Sequence, residues 1–313
     1  MSLSPAADRL GDVDVIQPFQ LDRSDFRGRA VRLGPALSEI VGRHAYPAPV
    51  ARLLAETITL AVTLAATLKY DGIFTLQAQG DGPVTLVVAD VTSGGEVRGY
   101  AKFDEARVAG LAHAAGPSAI APLLGKGYLA FTVDQGEFTE RYQGIVELDG
   151  PHLVDSVRHY FRQSEQLATG VKLAVREVPG GGWSGGAVLV QALPDAELAR
   201  GEVGTLSMVE EDDWRRSMAL LESATADELT DAGLPVRDLL YRLFHEETVR
   251  VYPPHGVVPS CRCSRGRVET VLRALGPEEL ADMKVDGRVE VTCEFCNARY
   301  VFADADLATL YSS

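Results

Sequence analysis

The hydrophobic rhythm of the chain changes several times. Residues 35–69 carry apolar positions at helical spacing, and Pro47 and Pro49 punctuate the start of a long helix from about Val50 to Lys69. Short runs rich in β-branched and aromatic residues follow: IFTLQA (73–78), VTLVVADV (84–91) and VRGYAKF (97–103), separated by Gly, Asp or Pro. QGDGP (79–83) reads as a tight turn between the first two. YLAFTVD (128–134) and YQGIVEL (142–148) read as a hairpin with QGEFTER as its loop. Leu153, Val157, Tyr160 and Phe161 recur at helical spacing within 152–166, and VKLAVREV and GAVLVQAL form a late hairpin across PGGGWSGG. The pattern predicts an α+β fold with mostly antiparallel pairing over residues 1–194.

That rhythm breaks after Pro194. Residues 195–231 hold eleven Asp or Glu against three Arg and few large apolar residues, so WRRSMALLESA (214–224) reads as a helix lying against something else and only marginally stable. VRDLLYRLFHEE (236–247) is a clearer amphipathic helix. Residues 195–247 are therefore expected to be a charged helical linker, and 248–313 a small terminal domain. No internal repeat or low-complexity run is evident.

Bulk composition narrows the function classes. A chain of 313 residues, 46% hydrophobic and 24% charged, is globular and long enough for two or three domains. Its net charge of −14 repels phosphate backbones and argues against a general nucleic-acid binder. The N-terminal residues show neither a basic leader nor an apolar run, and the twelve uncharged residues 57–68 are too few to cross a bilayer. The expectation is a cytoplasmic protein without a membrane partner. In a reducing compartment, clustered cysteines are metal ligands or redox groups rather than permanent staples.

All four cysteines lie in the last sixth of the chain: Cys261-x-Cys263, 29 intervening residues, then Cys293-x-x-Cys296. Two close pairs of thiolates suit a tetrahedral zinc ion, with RVETVLRAL and GPEELADMKV as short helices and RVEVT as a strand bringing the pairs together. A domain of about 60 residues lacks a large core, and a structural metal adds folding energy on the order of 10 kcal/mol. Cys-x-Cys is unusual for a purely structural zinc ribbon. Either pair, freed of metal, is close enough to close a local disulfide, and a Cys-x-Cys ring is small and reducible. Arg262, Arg265 and Arg267 are expected to favour thiolates at the first pair. Spacing alone leaves both a static and a redox-labile zinc site open.

The chain resembles the redox-regulated heat-shock chaperones of the 33 kDa class over nearly its whole length. The resemblance is carried by HAYPAPV (44–50), AATLKYDG (65–72), LQAQGDGPV (76–84), ERYQGIVEL (140–148), YFRQSEQLATG (160–170), LLYRLFHEETVRVY (239–252), CRCSRGRVE and CEFCNARYVF. It implies an ATP-independent holdase for unfolding proteins, not an enzyme. In the reduced form, one zinc per chain sits on Cys261, Cys263, Cys293 and Cys296, and the chaperone is off. Oxidation gives disulfides Cys261–Cys263 and Cys293–Cys296, releases the metal, unfolds the terminal domain and linker, and exposes client-binding surface. Homodimers are implied for the oxidised form.

Other signals are weaker. HEETV (245–249) lacks the second histidine of a zinc-protease motif, and GGGWSGG (180–186) lacks the lysine and spacing of a phosphate loop. His44, His113, His152, His159 and His255 have no triad partner in sequence, though His255 is near enough to Cys261 to be a spare ligand. Two alternatives remain: a constitutive zinc module fused to an interaction domain, and a thiol–disulfide oxidoreductase. The latter lacks a Cys-x-x-Cys on a thioredoxin-like βαβ unit.

Overall fold

The computed structural model describes residues 12–111, 120–136, 142–165, 167–192 and 208–310. The start of the acidic segment, 195–207, the loop residues 137–141 and His113 lie outside them. The chain divides into two compact units, Met1–Pro259 and Ser260–Ser313.

The first unit opens with two strands that the sequence reading did not anticipate, β1 (Val15–Leu21) and β2 (Phe26–Leu33). Helices α1 (Pro35–Gly42) and α2 (Ala48–Ala65) follow, with Pro47 and Pro49 framing the first turn of α2. Then come β3 (Ile73–Gly80), β4 (Val84–Thr92), β5 (Glu96–Phe103), α3 (Glu105–Gly110), α4 (Ala121–Leu124), β6 (Gly127–Asp134) and β7 (Tyr142–Glu147). Helix α5 (Leu153–Tyr160) widens into a π turn at Phe161–Glu165 rather than continuing as one regular helix to residue 166. Strands β8 (Thr169–Glu177) and β9 (Trp183–Ala192) close the α+β core.

One sheet runs β7-β6-β3-β4-β5, all antiparallel, with Phe74 opposite Val133 and Leu76 opposite Phe131. The other runs β8-β9-β2-β1, also antiparallel. Helix α2 packs on both, and its apolar positions join Val31 and Leu189 of one sheet to Phe74 and Val87 of the other in a single core. By length and composition α2 could cross a membrane, but most of it is buried inside this core. Its threonines fit because Thr57, Thr59 and Thr63 return their hydroxyls to the carbonyls of Leu53, Ala55 and Thr59 at 2.7–2.8 Å.

The late hairpin turns at 178–182, and β9 starts at Trp183 rather than Gly186. Gly185 and Gly186 are strand residues because neighbours approach closely. A Cβ on Gly186 would lie 1.8 Å from the Leu229 carbonyl oxygen, and one on Gly185 2.4 Å from Thr59 Oγ1.

The acidic segment forms α6 (Met208–Ser223) and α7 (Ala226–Thr230), followed by α8 (Val236–Phe244) and a 3₁₀ turn at His245–Glu247. These helices lie on the outer face of the β8-β9-β2-β1 sheet. Leu221, Leu229, Leu239, Leu240 and Phe244 bury that face's Phe19, Leu21, Phe26, Val188 and Val190 in a second core. Phe244 stacks on Phe19, and Trp214 meets Phe26 edge-on.

Residues 248–259 do not join the terminal unit, which the sequence reading started at 248. Strands β10 (Val249–Val251) and β11 (His255–Gly256) pair with β1, and β12 (Val258–Pro259) pairs in parallel with β5. Main-chain hydrogen bonding therefore carries the compact division to Pro259. The second unit contains α9 (Arg265–Ala274), α10 (Pro277–Asp282), the antiparallel pair β13 (Arg288–Thr292) and β14 (Arg299–Ala303), and α11 (Asp304–Leu310). Its core is small: Leu272, Leu280, Val289, Phe302 and Leu307.

Candidate metal centre

Two local structures present the cysteines. Cys261 and Cys263 lie on the extended chain just before α9, whose N-cap Ser264 accepts a hydrogen bond from the Arg267 N–H at 3.2 Å. Cys293 and Cys296 lie in the tight turn between β13 and β14. There the Cys293 N–H donates to the Ala298 carbonyl at 2.9 Å, and the Asn297 N–H donates to the Cys293 carbonyl at 2.8 Å. Asn297 takes a left-handed conformation, φ 59°, which asparagine tolerates and which turns the chain back into β14.

The four sulfurs converge. Every Sγ lies within 4.8 Å of the others, with Cys261 to Cys293 at 3.7 Å and Cys263 to Cys296 at 3.3 Å. A tetrahedron with metal–sulfur bonds of about 2.3 Å has edges of about 3.8 Å, so the cluster fits one tetrahedral ion. The group contains neither imidazole nor carboxylate. His255 is not part of it; it pairs with Ile16 in β11. Four sulfur donors in this arrangement select soft or borderline metals rather than calcium or magnesium.

The protons are unevenly held. Burial pushes the Cys261 thiol up, but the Cys263 N–H and hydrogen bonds from Cys263, Cys296 and Cys293 outweigh it and bring it down to about 7. Burial raises Cys293, and burial with the neighbouring thiols raises Cys296 to about 12. Tyr300 Oη donates to Cys263 Sγ at 3.1 Å, and that bond, with burial and the thiol charges, holds the phenol up to about 12. Tyr300 thus stays a donor to sulfur. It was not singled out from sequence, where only its position four residues past Cys296 marked it.

Two of the three arginines expected to favour thiolates are engaged otherwise. Arg265 pairs with Glu269 and Asp306, each at 3.2 Å, donates to the Val301 carbonyl and lies 4.3 Å from the Phe302 ring centre. Arg267 donates to the Arg262 carbonyl at 2.7 Å. The lowering at Cys261 comes from the amide and sulfur hydrogen bonds instead.

Fold and site define an α+β protein whose small second unit is organised round four thiols. Comparison with known proteins places that class. The family model described as Hsp33 protein matches residues 14–303. A 33 kDa chaperonin of Caulobacter vibrioides is 40% identical over 291 residues, covering 92% of this chain and 94% of that one. A 33 kDa chaperonin of Pseudomonas fluorescens is 39% identical over 306 residues, covering 97% and 95%. The crystal structure of the 33 kDa chaperonin, or heat shock protein 33 homolog, from Thermotoga maritima shares the fold, with a TM-score of 0.79 over 95% of this chain and 97% of that one at 24% identity. The chain belongs to the Hsp33 family, a family of heat-shock chaperones.

Proposed function

We propose that this protein is a redox-regulated, ATP-independent holdase of the cytoplasm: a binding protein for unfolding chains, with no catalytic turnover and no nucleic-acid or membrane partner. One observation carries the reading. The apolar outer face of the β8-β9-β2-β1 sheet is covered by helices that are themselves highly charged and have little other core. Displacement of that cover leaves a surface suited to exposed apolar chain.

In the reduced state, Cys261, Cys263, Cys293 and Cys296 would hold one zinc ion, which supplies the folding energy that five core residues cannot. Two equivalents of peroxide convert four thiols to two disulfides, the peroxide being reduced to water, and every ligand is lost at once. Sulfurs of different pairs approach to 3.3 and 3.7 Å, as a shared ion would require. Once the unit has loosened, loop closure favours Cys261–Cys263 and Cys293–Cys296. Cys261 follows β12 after a single residue, so loosening of the second unit reaches β10–β12 and then α8 along the chain. The linker then leaves the sheet, and clients occupy the face. Homodimerisation accompanies the oxidised state.

The test follows metal release and light scattering of a denaturing client together, with and without peroxide, and maps the disulfides. Zinc release with suppressed aggregation supports the proposal. Retention of metal through mild oxidation, with unchanged scattering, supports a constitutive metal module, and turnover of a dithiol substrate supports an oxidoreductase.

A further inference from the structure

The sheet face under the linker is not uniformly apolar. Arg32, on β2, is 1% exposed and is the largest fully buried side chain among the described residues. It lies across the sheet from Val15 and Gly186. Its guanidinium reaches into the linker and donates to three main-chain carbonyls: Glu228 at 2.9 Å from Nη2, and Asp231 and Leu234 from Nη1. Its Nε is buried without a partner, and no carboxylate lies within ion-pair distance among the described residues. Burial lowers its pKa, and only the more distant charges of Asp231 and Asp12 act the other way. Among the described residues, the linker thus supplies every hydrogen bond that the Arg32 guanidinium makes.

This arrangement has a consequence for whatever replaces the linker. A guanidinium cannot lose its proton under physiological conditions, and a buried cation without acceptors is strongly unfavourable. When residues 228–234 depart, Arg32 loses all three acceptors and the nearby Asp231 together. An occupant that covers the apolar surface but offers no acceptor would bury an unsatisfied cation. A carboxylate satisfies both the charge and the forked donors.

We infer that the uncovered face binds non-native segments in which an acidic side chain is flanked by apolar residues, with Arg32 as the residue that selects them. The inference rests on the release of the linker proposed above. It gives the client surface a fixed polar centre, so that recognition combines apolar burial with one directed, charge-assisted contact. The same side chain then serves both states. In the closed form it grips the linker backbone, and in the open form it meets the client.

The experiment uses the full chain, oxidised, and fluorescent twelve-residue peptides of identical apolar sequence with Glu, Gln or Lys at the centre. Binding is read by anisotropy, with hydrogen exchange of 208–247 followed in parallel. The Glu peptide should bind about tenfold more tightly than the Gln peptide, the worth of one charged hydrogen bond, and the Lys peptide more weakly still. Arg32→Met should abolish the order among peptides while leaving apolar binding, and Arg32→Lys should keep a reduced preference. Far-ultraviolet circular dichroism and metal content of the reduced variants establish that they are folded. Equal affinity for the Glu and Gln peptides, or a preference that survives Arg32→Met, overturns the inference while leaving linker release intact. If exchange shows that 208–247 stays protected after oxidation, the underlying reading fails and this inference with it.

Discussion

Breaking the ion pair between Arg216 and Glu247 should release the linker without touching a cysteine. Glu247 is fully buried and accepts from Arg216 Nε at 2.5 Å and from Nη2 at 3.1 Å, while Asp213 accepts from the same guanidinium at 2.8 Å. The bond ties α6 to the 3₁₀ turn after α8, the two ends of the cover. In Arg216→Met the Glu247 carboxylate stays buried without its partner. Removing one member of a buried pair costs about 3–5 kcal/mol. The Arg216 side chain keeps 35% exposure, so the lower end, about 3 kcal/mol, applies. At 1.4 kcal/mol per decade, the opening equilibrium of the linker should rise about a hundredfold. Hydrogen exchange of 208–223 and 236–247 under reducing conditions reads that change directly. Client aggregation assayed in the same buffer should be partly suppressed with metal still bound. The double variant Arg216→Met/Glu247→Leu removes the stranded charge and should restore most of the protection. If the single variant exchanges within threefold of the parent, or the double variant is as open as the single, the pair does not hold the cover down.

Three further outcomes follow from the same geometry. Cys261→Ser should cut metal content to a small fraction of one ion per chain and loosen residues 260–310, measured by elemental analysis and exchange; unchanged metal would exclude a four-thiolate site. Trp214→Ala removes the edge contact with Phe26 at 5.4 Å and should weaken α6 docking by about 2 kcal/mol, less than a fully buried tryptophan because Trp214 is half-buried, as read by denaturant titration of the linker's exchange protection. The hydrogen bonds and charges of Lys172 and Arg158 outweigh burial to lower the Glu222 pKa, and the Thr225 N–H and hydroxyl lower that of Glu228. A lowered folded pKa means stability that is fully present above the ordinary glutamate value of 4.5 and lost as pH falls through the lower folded values. Protection of α6 and α7 should therefore be flat above that pH and fall only below it, and a decline beginning near neutrality would contradict the assignment.

Much of the core could be read from sequence because its strands alternate cleanly. Phe74, Leu76 and Ala78 face inward on β3, and Leu129, Phe131 and Val133 lie opposite them. The four cysteines were equally legible, since close pairs of one scarce residue type leave few other readings. Strands β1 and β2 were not. FRGRAVRL carries three arginines, yet β2 is interior to its sheet, with its polar positions satisfied by distant chain: Arg29 by the Ala66 carbonyl and Arg32 by linker carbonyls. A pattern rule assigns arginine to solvent, and only tertiary structure supplies such partners. The fate of 248–259 was hidden for the same reason, because main-chain pairing with β1 and β5 leaves no side-chain signature.

The linker is docked by the apolar side chains of α6–α8 and, at α7 and the turn after it, by its backbone, which gives an acidic segment a defined closed position. The Thr230 carbonyl accepts from Ser184 Oγ at 2.7 Å and from Arg176 at 3.3 Å, and the Leu229 carbonyl sits where only a glycine at 186 leaves room. Arg32 takes three more carbonyls at Glu228, Asp231 and Leu234. At the edge of this seam the ion pairs are exposed, Glu222 with Arg158 and Lys172 and Asp227 with Arg176, each worth little in water. Main-chain acceptors are present in the right places only while α7 and the turn after it keep their shape. Loss of that local structure therefore removes the carbonyl contacts together rather than one by one, which makes release cooperative. Release also has to expose the apolar side chains that the cover buries, each worth about 1.5–3 kcal/mol. The buried polar contacts fix the geometry of the closed state, and under the proposed switch the change at the four thiols has to offset the apolar contacts as well as the carbonyl seam.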